Sequence, residues 1–553
     1  MSQQSEHVFL ISGDSAGGAV GNAESMGFKA YNLWRMARIG LPVPPAFVIN
    51  TSYCREYLKN NGELPDGFRE LLAANLRELE KLSGLGFGGA RKPLLVAVRS
   101  GAPVSMPGMM QTLLDIGITD VTVRGLIRLT GNPRLAWDSY RRLVQSYAEI
   151  VHGSPAEPFT AVLRSHLARS GVDLPQELDF QSLMALTRDY LDLFRDLTAR
   201  DFPQNPAEQL EAAVTAVFKS WQSPKAGEYR RINGVSDGIG TAVTVQRMVY
   251  GNAGGTSGAG VAFTRNPASG EHALYMDFLF NTQGEDVVSG RYALEDPALL
   301  ADLMPSVYDE IRKTAQVLEH EFKDAQEFEF TVQDGKLYLL QTRSAKRAAW
   351  AALRIAVEQA GEGLISPAAA LKRLEKLDLG NIQQTRLAAT QGAQMLGRGI
   401  PASTSVGTGA IALDSAAAQK LASLGRPAIL VRDDIATDDI DGICAAAGIL
   451  TAVGGRTSHA AVVARQLDKV CIVGCAGLTV DLAARRCCIG GVWMNEGDEL
   501  SLDGNSGQIF AGAPRVVVEK PTDYLAQVAR WRAEHGESKT PSRPVTSQQT
   551  AAG

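Results

Sequence analysis

At 553 residues the chain is too long for one hydrophobic core and is expected to fold as two to four domains. An apolar fraction of 45% is ordinary for a globular protein, and a net charge of −5 without a long basic cluster argues against nucleic acid as the main partner. No apolar run approaches membrane-spanning length and the start Met1-Ser2-Gln3-Gln4-Ser5-Glu6 lacks a signal-peptide apolar core, so the default expectation is a cytoplasmic protein with no membrane partner.

Residues 1–346 alternate helical and strand patterns and read as an α+β nucleotide-binding region, interrupted between about 120 and 225 by a helical insertion. There is no Walker A sequence, and the isolated Gly238-Ile239-Gly240 is not a dinucleotide fingerprint. A strand from Val243 to Tyr250 leads through a glycine-rich run, Gly251 to Gly260, into a strand from Val261 to Thr264. The run is expected to be a hairpin loop: either its N–H groups, around Gly258 and Gly260, face nucleotide phosphates, or it is merely a flexible turn.

In Glu327-Phe328-Glu329-Phe330, strand alternation puts two carboxylates on one face and two aromatic rings on the other. Paired carboxylates suit Mg2+ on a nucleotide polyphosphate, although a solvated strand face is the bland alternative. One turn later Gln341 and Arg343 share a face of the next strand. Such a hairpin, presenting two acids, an amide and a guanidinium, is what an ATP-grasp site needs to hold MgATP.

Residues 347–392 turn to Ala, Leu, Lys and Glu, with Ser366-Pro367 as an N-cap and first-turn proline, and read as a helical linker. Residues 393–514 carry short β runs such as Ala428 to Val431 and Cys471 to Val473, and form a compact mixed domain. Residues 515–553 offer one amphipathic helix, Tyr524 to Glu534, and a Pro-, Ser-, Thr- and Gln-rich tail expected to be disordered. Cys444, Cys471, Cys475, Cys487 and Cys488 fall in the third region, but their spacing is not that of paired zinc knuckles, so core thiols are the expectation.

Within that region, Gly454-Gly455-Arg456-Thr457-Ser458-His459-Ala460-Ala461-Val462-Val463-Ala464-Arg465 puts one histidine between a glycine turn and an apolar helix. Thr457 and Ser458 can cap the helix and bond phosphoryl oxygens, and the helix N-terminus favours an anion. His459 is the expected nucleophile.

These twelve residues resemble the phosphohistidine motif of the pyruvate phosphate dikinase and phosphoenolpyruvate synthase family. The dikinase branch is resembled further by Val98 to Ala102, Ser105 to Met110, Gly131 to Arg134, Ala136 to Arg142, Gly260 to Pro267, Gln283 to Val288 and Leu340 to Arg343. The resemblance implies an α/β multidomain fold: an ATP-grasp domain with a helical insertion, a helical linker and a swivelling β/β/α phosphohistidine domain. It implies phosphate contacts from Lys29 and Arg99, metal-nucleotide binding by Glu327 and Glu329, and contacts near the transferring group from Gln341 and Arg343. His459, Arg343 and Arg99 become the catalytic candidates. Glu285 is a further polar candidate, and Arg141 or Arg142 is either the inorganic-phosphate site or helix-surface charge. The substrates would be ATP and inorganic phosphate, with Mg2+.

Several positions depart from the family pattern. The glycine-rich surroundings of the ATP lysine become Gly27-Phe28-Lys29-Ala30, and the first acid of the metal pair is Glu327 instead of Asp. A Pro-Gly becomes Thr404-Ser405, and a Glu-Thr-Ser-Pro run becomes Asp434-Ile435-Ala436-Thr437. Family members continue into a (β/α)8 barrel for pyruvate or phosphoenolpyruvate, and this sequence stops where that barrel would begin. The expectation is a dikinase-like phosphotransferase running the ATP and phosphate half-reaction, with a separate barrel subunit or another acceptor taking the phosphoryl group. The alternative is a decayed nucleotide-binding regulatory paralogue.

Overall fold

The computed structural model describes residues 8–13, 21–104, 106, 111–289, 297–388, 393–435, 439–456 and 458–534. The chain divides into two compact units, the first comprising residues 1–263, 276–318 and 326–344, the second residues 264–275, 319–325 and 345–553.

The first unit is built around two main sheets. Strands β1 (Val8–Ile11), β2 (Ala46–Ile49), β3 (Val96–Gly101), β4 (Thr112–Ile116) and β5 (Ala242–Arg247) form an antiparallel five-stranded sheet in the order β1-β2-β5-β3-β4. Strands β6 (Gly258–Phe263), β7 (Tyr275–Phe280), β8 (Gln326–Gln333) and β9 (Lys336–Ser344) form a second sheet in the order β9-β8-β6-β7. Near-continuous burial along β2, β3 and β5 marks strands covered on both faces.

The helical interval runs from Thr122 to Asn233, slightly beyond its expected end. Its longest helix, α2 (Pro133–His152), shows why the sequence folds locally. Asn132 accepts a hydrogen bond from Leu135 N at 2.9 Å, Pro133 occupies the first turn, and Gly153 closes the helix in the left-handed conformation.

The connection between β5 and β6 corrects one expectation. β5 stops at Arg247 and belongs to one sheet, while β6 belongs to the other, so the glycine-rich run is a crossover and not a hairpin loop. Gly258 and Gly260 lie within β6, opposite Val332 and Phe330. A Cβ on Gly258 would stand 2.2 Å from the Phe278 ring, and one on Gly260 would stand 2.4 Å from the Phe330 ring. These glycines admit aromatic packing over the sheet, and Gly260 also lines the cavity described below.

In the second unit, α3 (Ala349–Gly361) and α4 (Pro367–Leu374) pack with the C-terminal helix Thr522–Glu534 through Leu353, Leu371, Leu374, Val528 and Trp531. Ser366 caps α4 as its sequence suggests. An eight-stranded sheet runs Met395–Arg398, Gln508–Ala511, Glu499–Asp503, Val406–Ala412, Ala428–Arg432, Gly448–Thr451, Val470–Val473 and Ile400–Pro401. Four neighbouring strands, from Val406–Ala412 to Val470–Val473, are parallel, each followed by a crossover helix except the last. The third crossover helix is α5 (His459–Gln466), and the unit's described part closes with α6 (Thr522–Glu534). Cys471, Cys475 and Cys487 are buried as expected, whereas Cys444 is exposed.

Candidate active site

The first unit contains a cavity of about 250 Å³ lined by both of its sheets. Lys29, Arg99, Glu329 and Gln341 line one part; Met248 and Val249, on the segment leaving β5, line another. The lining therefore mixes charged and apolar groups, with Arg247 next to Met248 in the chain.

Lys29 is the second residue of α1 (Phe28–Arg38), whose apolar face buries Leu33, Trp34 and Met36. Gly27 precedes it at φ 76°, and a Cβ there would meet Gly101 O at 2.1 Å. Only glycine lets α1 start this close to the end of β3, which carries Arg99. Asn32 of α1 donates to Thr342 O of β9 at 3.0 Å, fastening the helix to the second sheet. Burial pushes the Lys29 pKa down, Glu329 pulls it up, and Arg99 and Arg343 lower it further.

On the β8–β9 hairpin, Glu327 stands opposite Arg343 and Glu329 opposite Gln341. Arg343 donates to Glu327 at 2.5 Å, and Gln341 Nε2 donates to Glu329 Oε1 at 3.3 Å. Burial pulls the Arg343 pKa down, but Glu327 and Glu329 carry it above its ordinary value. A register shift between Glu329 and Phe330 puts a bulge beside the acid. Arg99 reaches the same hairpin, donating to Leu340 O at 3.5 Å.

The expected pair of metal acids is thus divided. Glu329 lines the cavity, whereas Glu327 is buried, ion-paired with Arg343 and outside the lining. Arg343 borders a smaller space of about 40 Å³ with Lys29, Ser100 and Gln341.

Arg141 and Arg142 also separate. Arg141 is buried and paired with Asp138 at 2.6 Å, so it is neither helix-surface charge nor open to phosphate. Burial pushes the Asp138 carboxyl up, yet Arg141 and Arg142 hold it at about 2. Arg142 bonds Asp138 at 2.9 Å and Asp286 at 3.2 Å, and lines a space of about 50 Å³ with Thr112 and Gln283, residues that also line the main cavity.

Ser458 caps α5, accepting from Ala461 N at 3.4 Å, and His459 is the helix's first residue. The helix follows the parallel strand Gly448–Thr451, so its N-terminus lies at the carboxyl end of a parallel sheet, where unpaired N–H groups attract anions. Buried Arg465 of the same helix donates to Arg456 O at 2.8 Å and Ala402 O at 3.0 Å, tying down the turn before His459. Thr457 and the side chains of His459 and Glu285 lie outside the described residues, as do Ala436 and Thr437.

Sequence reasoning missed Thr244 and Gln246, which line the cavity from β5. Their signal was polar alternation within Val243-Thr244-Val245-Gln246, a buried strand with one polar face.

Residues 61–305 match the family described as pyruvate phosphate dikinase, AMP/ATP-binding domain, and residues 424–507 match that of the PEP-utilising enzyme, mobile domain. The chain is 40% identical over 536 residues to the pyruvate, phosphate dikinase of Rhizobium meliloti (strain 1021), covering 95% of this chain and 60% of that protein. It is 41% identical over 490 residues to the pyruvate, phosphate dikinase of Clostridium symbiosum, covering 88% of this chain and 56% of that one. With the chloroplastic pyruvate, phosphate dikinase of Flaveria pringlei it shares 42% identity over 508 residues, covering 92% and 53% respectively. The chain thus spans between 53% and 60% of the length of these three relatives. Arg99, Arg141 and Arg142 fall within the AMP/ATP-binding match and His459 within the mobile-domain match, while Lys29 and the β8–β9 hairpin lie outside both. Among the described residues, no helix is long and apolar enough to cross a membrane.

Proposed function

We propose that this chain is a dikinase-type phosphotransferase that uses ATP and inorganic phosphate to phosphorylate His459, releasing AMP and pyrophosphate. The observation that carries the reading is the polar part of the cavity, where Lys29, Arg99, Glu329 and Gln341 converge beside Arg343. The purine would lie against Met248 and Val249, with the polyphosphate running toward Lys29 and Arg99.

Glu329 fits a magnesium-nucleotide: Mg2+ commonly takes one or two carboxylates and leaves its other positions to phosphates and water. Bound there, it would neutralise phosphate charge. Glu327 would act mainly by orienting Arg343.

In the first step a ring nitrogen of His459 forms a bond to the β-phosphorus while the bond from that phosphorus to the α–β bridging oxygen breaks, and AMP leaves with the electron pair. An oxygen of inorganic phosphate then bonds to the γ-phosphorus while the bond from that phosphorus to the β–γ bridging oxygen breaks, which releases pyrophosphate and leaves a single phosphoryl group on His459. Lys29, Arg99 and Arg343 stabilise the negative charge on the transferring and leaving oxygens; this is positioning and charge neutralisation, not covalent chemistry by the cavity. The phosphohistidine then supplies an acceptor, and the names of the relatives point to pyruvate.

The test is incubation with ATP labelled in the β-phosphate, Mg2+ and phosphate. The protein should take up acid-labile, base-stable label, and His459→Ala should abolish uptake while keeping nucleotide binding. Label surviving in that variant overturns His459 as carrier. The wild-type chain should also catalyse isotope exchange between ATP and AMP when phosphate and pyrophosphate are present. Absence of exchange favours a decayed nucleotide-binding paralogue.

A further inference from the structure

Beside the eight-stranded sheet of the second unit, to which Thr385 is tied through Val406 O at 2.9 Å, Gln384–Leu387 pairs antiparallel with Val516–Glu519 in a two-stranded ribbon. Among the described residues no strand pairs with the other edge of Val516–Glu519. Val516, Val517 and Val518 are 43%, 46% and 56% exposed, so neither face of that strand is fully covered. Open edges are ordinarily guarded by charge or proline within the strand. Here the charges stand only at the ends, Arg515 before the valines and Glu519 and Lys520 after them, with Pro514 and Pro521 outside. Three exposed β-branched residues at an open edge invite a further strand.

The register tells which residues offer their backbone. Ala388 N–H donates to Arg515 O at 2.9 Å, so these two form a hydrogen-bonded pair. Bonded and non-bonded pairs alternate along an antiparallel ladder, which directs the backbone of Val517 and Glu519 toward Arg386 and Gln384 and turns the N–H and C=O of Val516 and Val518 outward. A second copy of the strand, related by a two-fold axis through Val517, lays Val518 of one copy against Val516 of the other, so both outward residues find backbone partners. The same operation sets Arg515 of each copy opposite Glu519 of the other, in the non-bonded pairs where side chains stand closest. Glu519 already pairs with Arg386 at 3.0 Å and its side chain remains 41% exposed, so its carboxylate can take a second guanidinium. An in-register parallel partner would instead set arginine against arginine and glutamate against glutamate.

We propose that this edge is a self-association site, on which a second copy of the chain adds its own Val516–Glu519, antiparallel and centred on Val517. The valines shield the new backbone bonds from water, and the charges at the two ends choose the register. Two-fold closure uses up both edges, so assembly stops at the dimer. Pro514 and Pro521 confine the pairing to a few residues, which keeps the interface small and the dimer weak. The site is independent of the phosphotransfer reading.

Analytical ultracentrifugation of the full chain should show a reversible monomer–dimer equilibrium with a Kd on the order of 10–100 μM, as suits a small transient interface. Arg515→Glu should weaken it about tenfold, because like charges then face each other at both ends, and Glu519→Arg should do the same. Both changes together should restore the wild-type Kd, a recovery that mere structural damage would not allow. Under mild oxidation Val517→Cys should cross-link into a covalent dimer, since non-bonded partners stand about 4.5 Å apart at Cα, within disulfide reach. Val516→Cys should cross-link no more than the wild-type chain, whose exposed Cys444 sets the background. A chain that stays monomeric at millimolar concentration, a dimer indifferent to Arg515→Glu, or a double variant that fails to recover overturns the proposal. So does a monomer that dimerises only once residues 535–553 are deleted, because the edge would then belong to that segment.

Discussion

Around Lys29, burial, two arginines and one carboxylate compete over a single proton, and the sum lowers its pKa below the ordinary value of 10.5. Phosphate oxygens reverse that balance, since a bound polyphosphate favours the ammonium and raises its pKa. Affinity is therefore full below the depressed pKa of the free protein, begins to fall as pH rises through it, and has lost the part due to Lys29 only above the raised pKa of the complex. Calorimetric titration of MgATP from pH 7 upward should show this fall, and Lys29→Arg should flatten it, because arginine stays charged throughout. A second expectation separates the two acids of β8. Glu329→Gln should slow His459 labelling by about a hundredfold or more, the usual loss for one preorganised charge contact. Glu327→Gln should act through Arg343, so that Arg343→Lys added to it brings little further loss. Strictly additive losses in the double variant would separate the pair. That Glu327, Glu329, Gln341 and Arg343 share a hairpin was legible in the sequence, because alternation on two adjacent strands fixes which side chains share a face. The unequal access of Glu327 and Glu329 was not legible: it depends on an ion pair and on the second sheet, and no one-dimensional pattern encodes either.

Among the elements, the loop entering Val406–Ala412 shows a departure from the family pattern in physical form. Ser405, part of the Thr404-Ser405 departure, stands at φ 81°, a left-handed backbone that side chains resist. Its Oγ accepts from Thr385 N at 3.1 Å, and its own N–H donates to Asn505 at 3.3 Å. Strain and bonding oppose each other at this residue, and two substitutions pull them apart. Ser405→Ala keeps the strain and loses the hydroxyl contact; Ser405→Gly loses the contact but relieves the strain. Chemical denaturation should find the glycine variant more stable than the alanine variant by about 1 kcal/mol. Equal stabilities would mean that the loop relaxes out of the left-handed region. The glycine-rich crossover teaches the complementary lesson. Its composition reads as a turn because glycine is permissive, yet Gly258 and Gly260 are required for the opposite reason, close packing under Phe278 and Phe330. Composition reports that a side chain is absent and says nothing of what fills the space. The capped helices needed no such context: Asn132-Pro133 and Ser366-Pro367 carry their own start signals.

At the scale of the whole molecule, the two units do not follow one another along the chain. The polypeptide passes between them at residues 263–264, 275–276, 318–319, 325–326 and 344–345. Within the second unit the returning segments are locked by charge: Arg265, fully buried, meets Glu319 at 2.6 Å, Glu358 at 3.2 Å and Glu362 at 2.5 Å. Burial lowers the Arg265 pKa, but Glu319 and Glu362 outweigh it and raise the value. Arg265→Met should destabilise this unit by about 3–5 kcal/mol, because Glu319 would remain buried without its cation. A loss under about 1 kcal/mol in denaturant melts would show the network to be dispensable. The sequence pattern suggested a simple succession, 1–346 and then a linker, since helix and strand periodicity is local and carries no record of which distant segment completes a core. The weave has a practical consequence for anyone recombining this protein with a relative. A gene fusion joined at a single point near residue 346 would pair Arg265 from one parent with Glu358 and Glu362 from the other, so a working chimera must transplant residues 264–275 and 319–325 together with everything after 344.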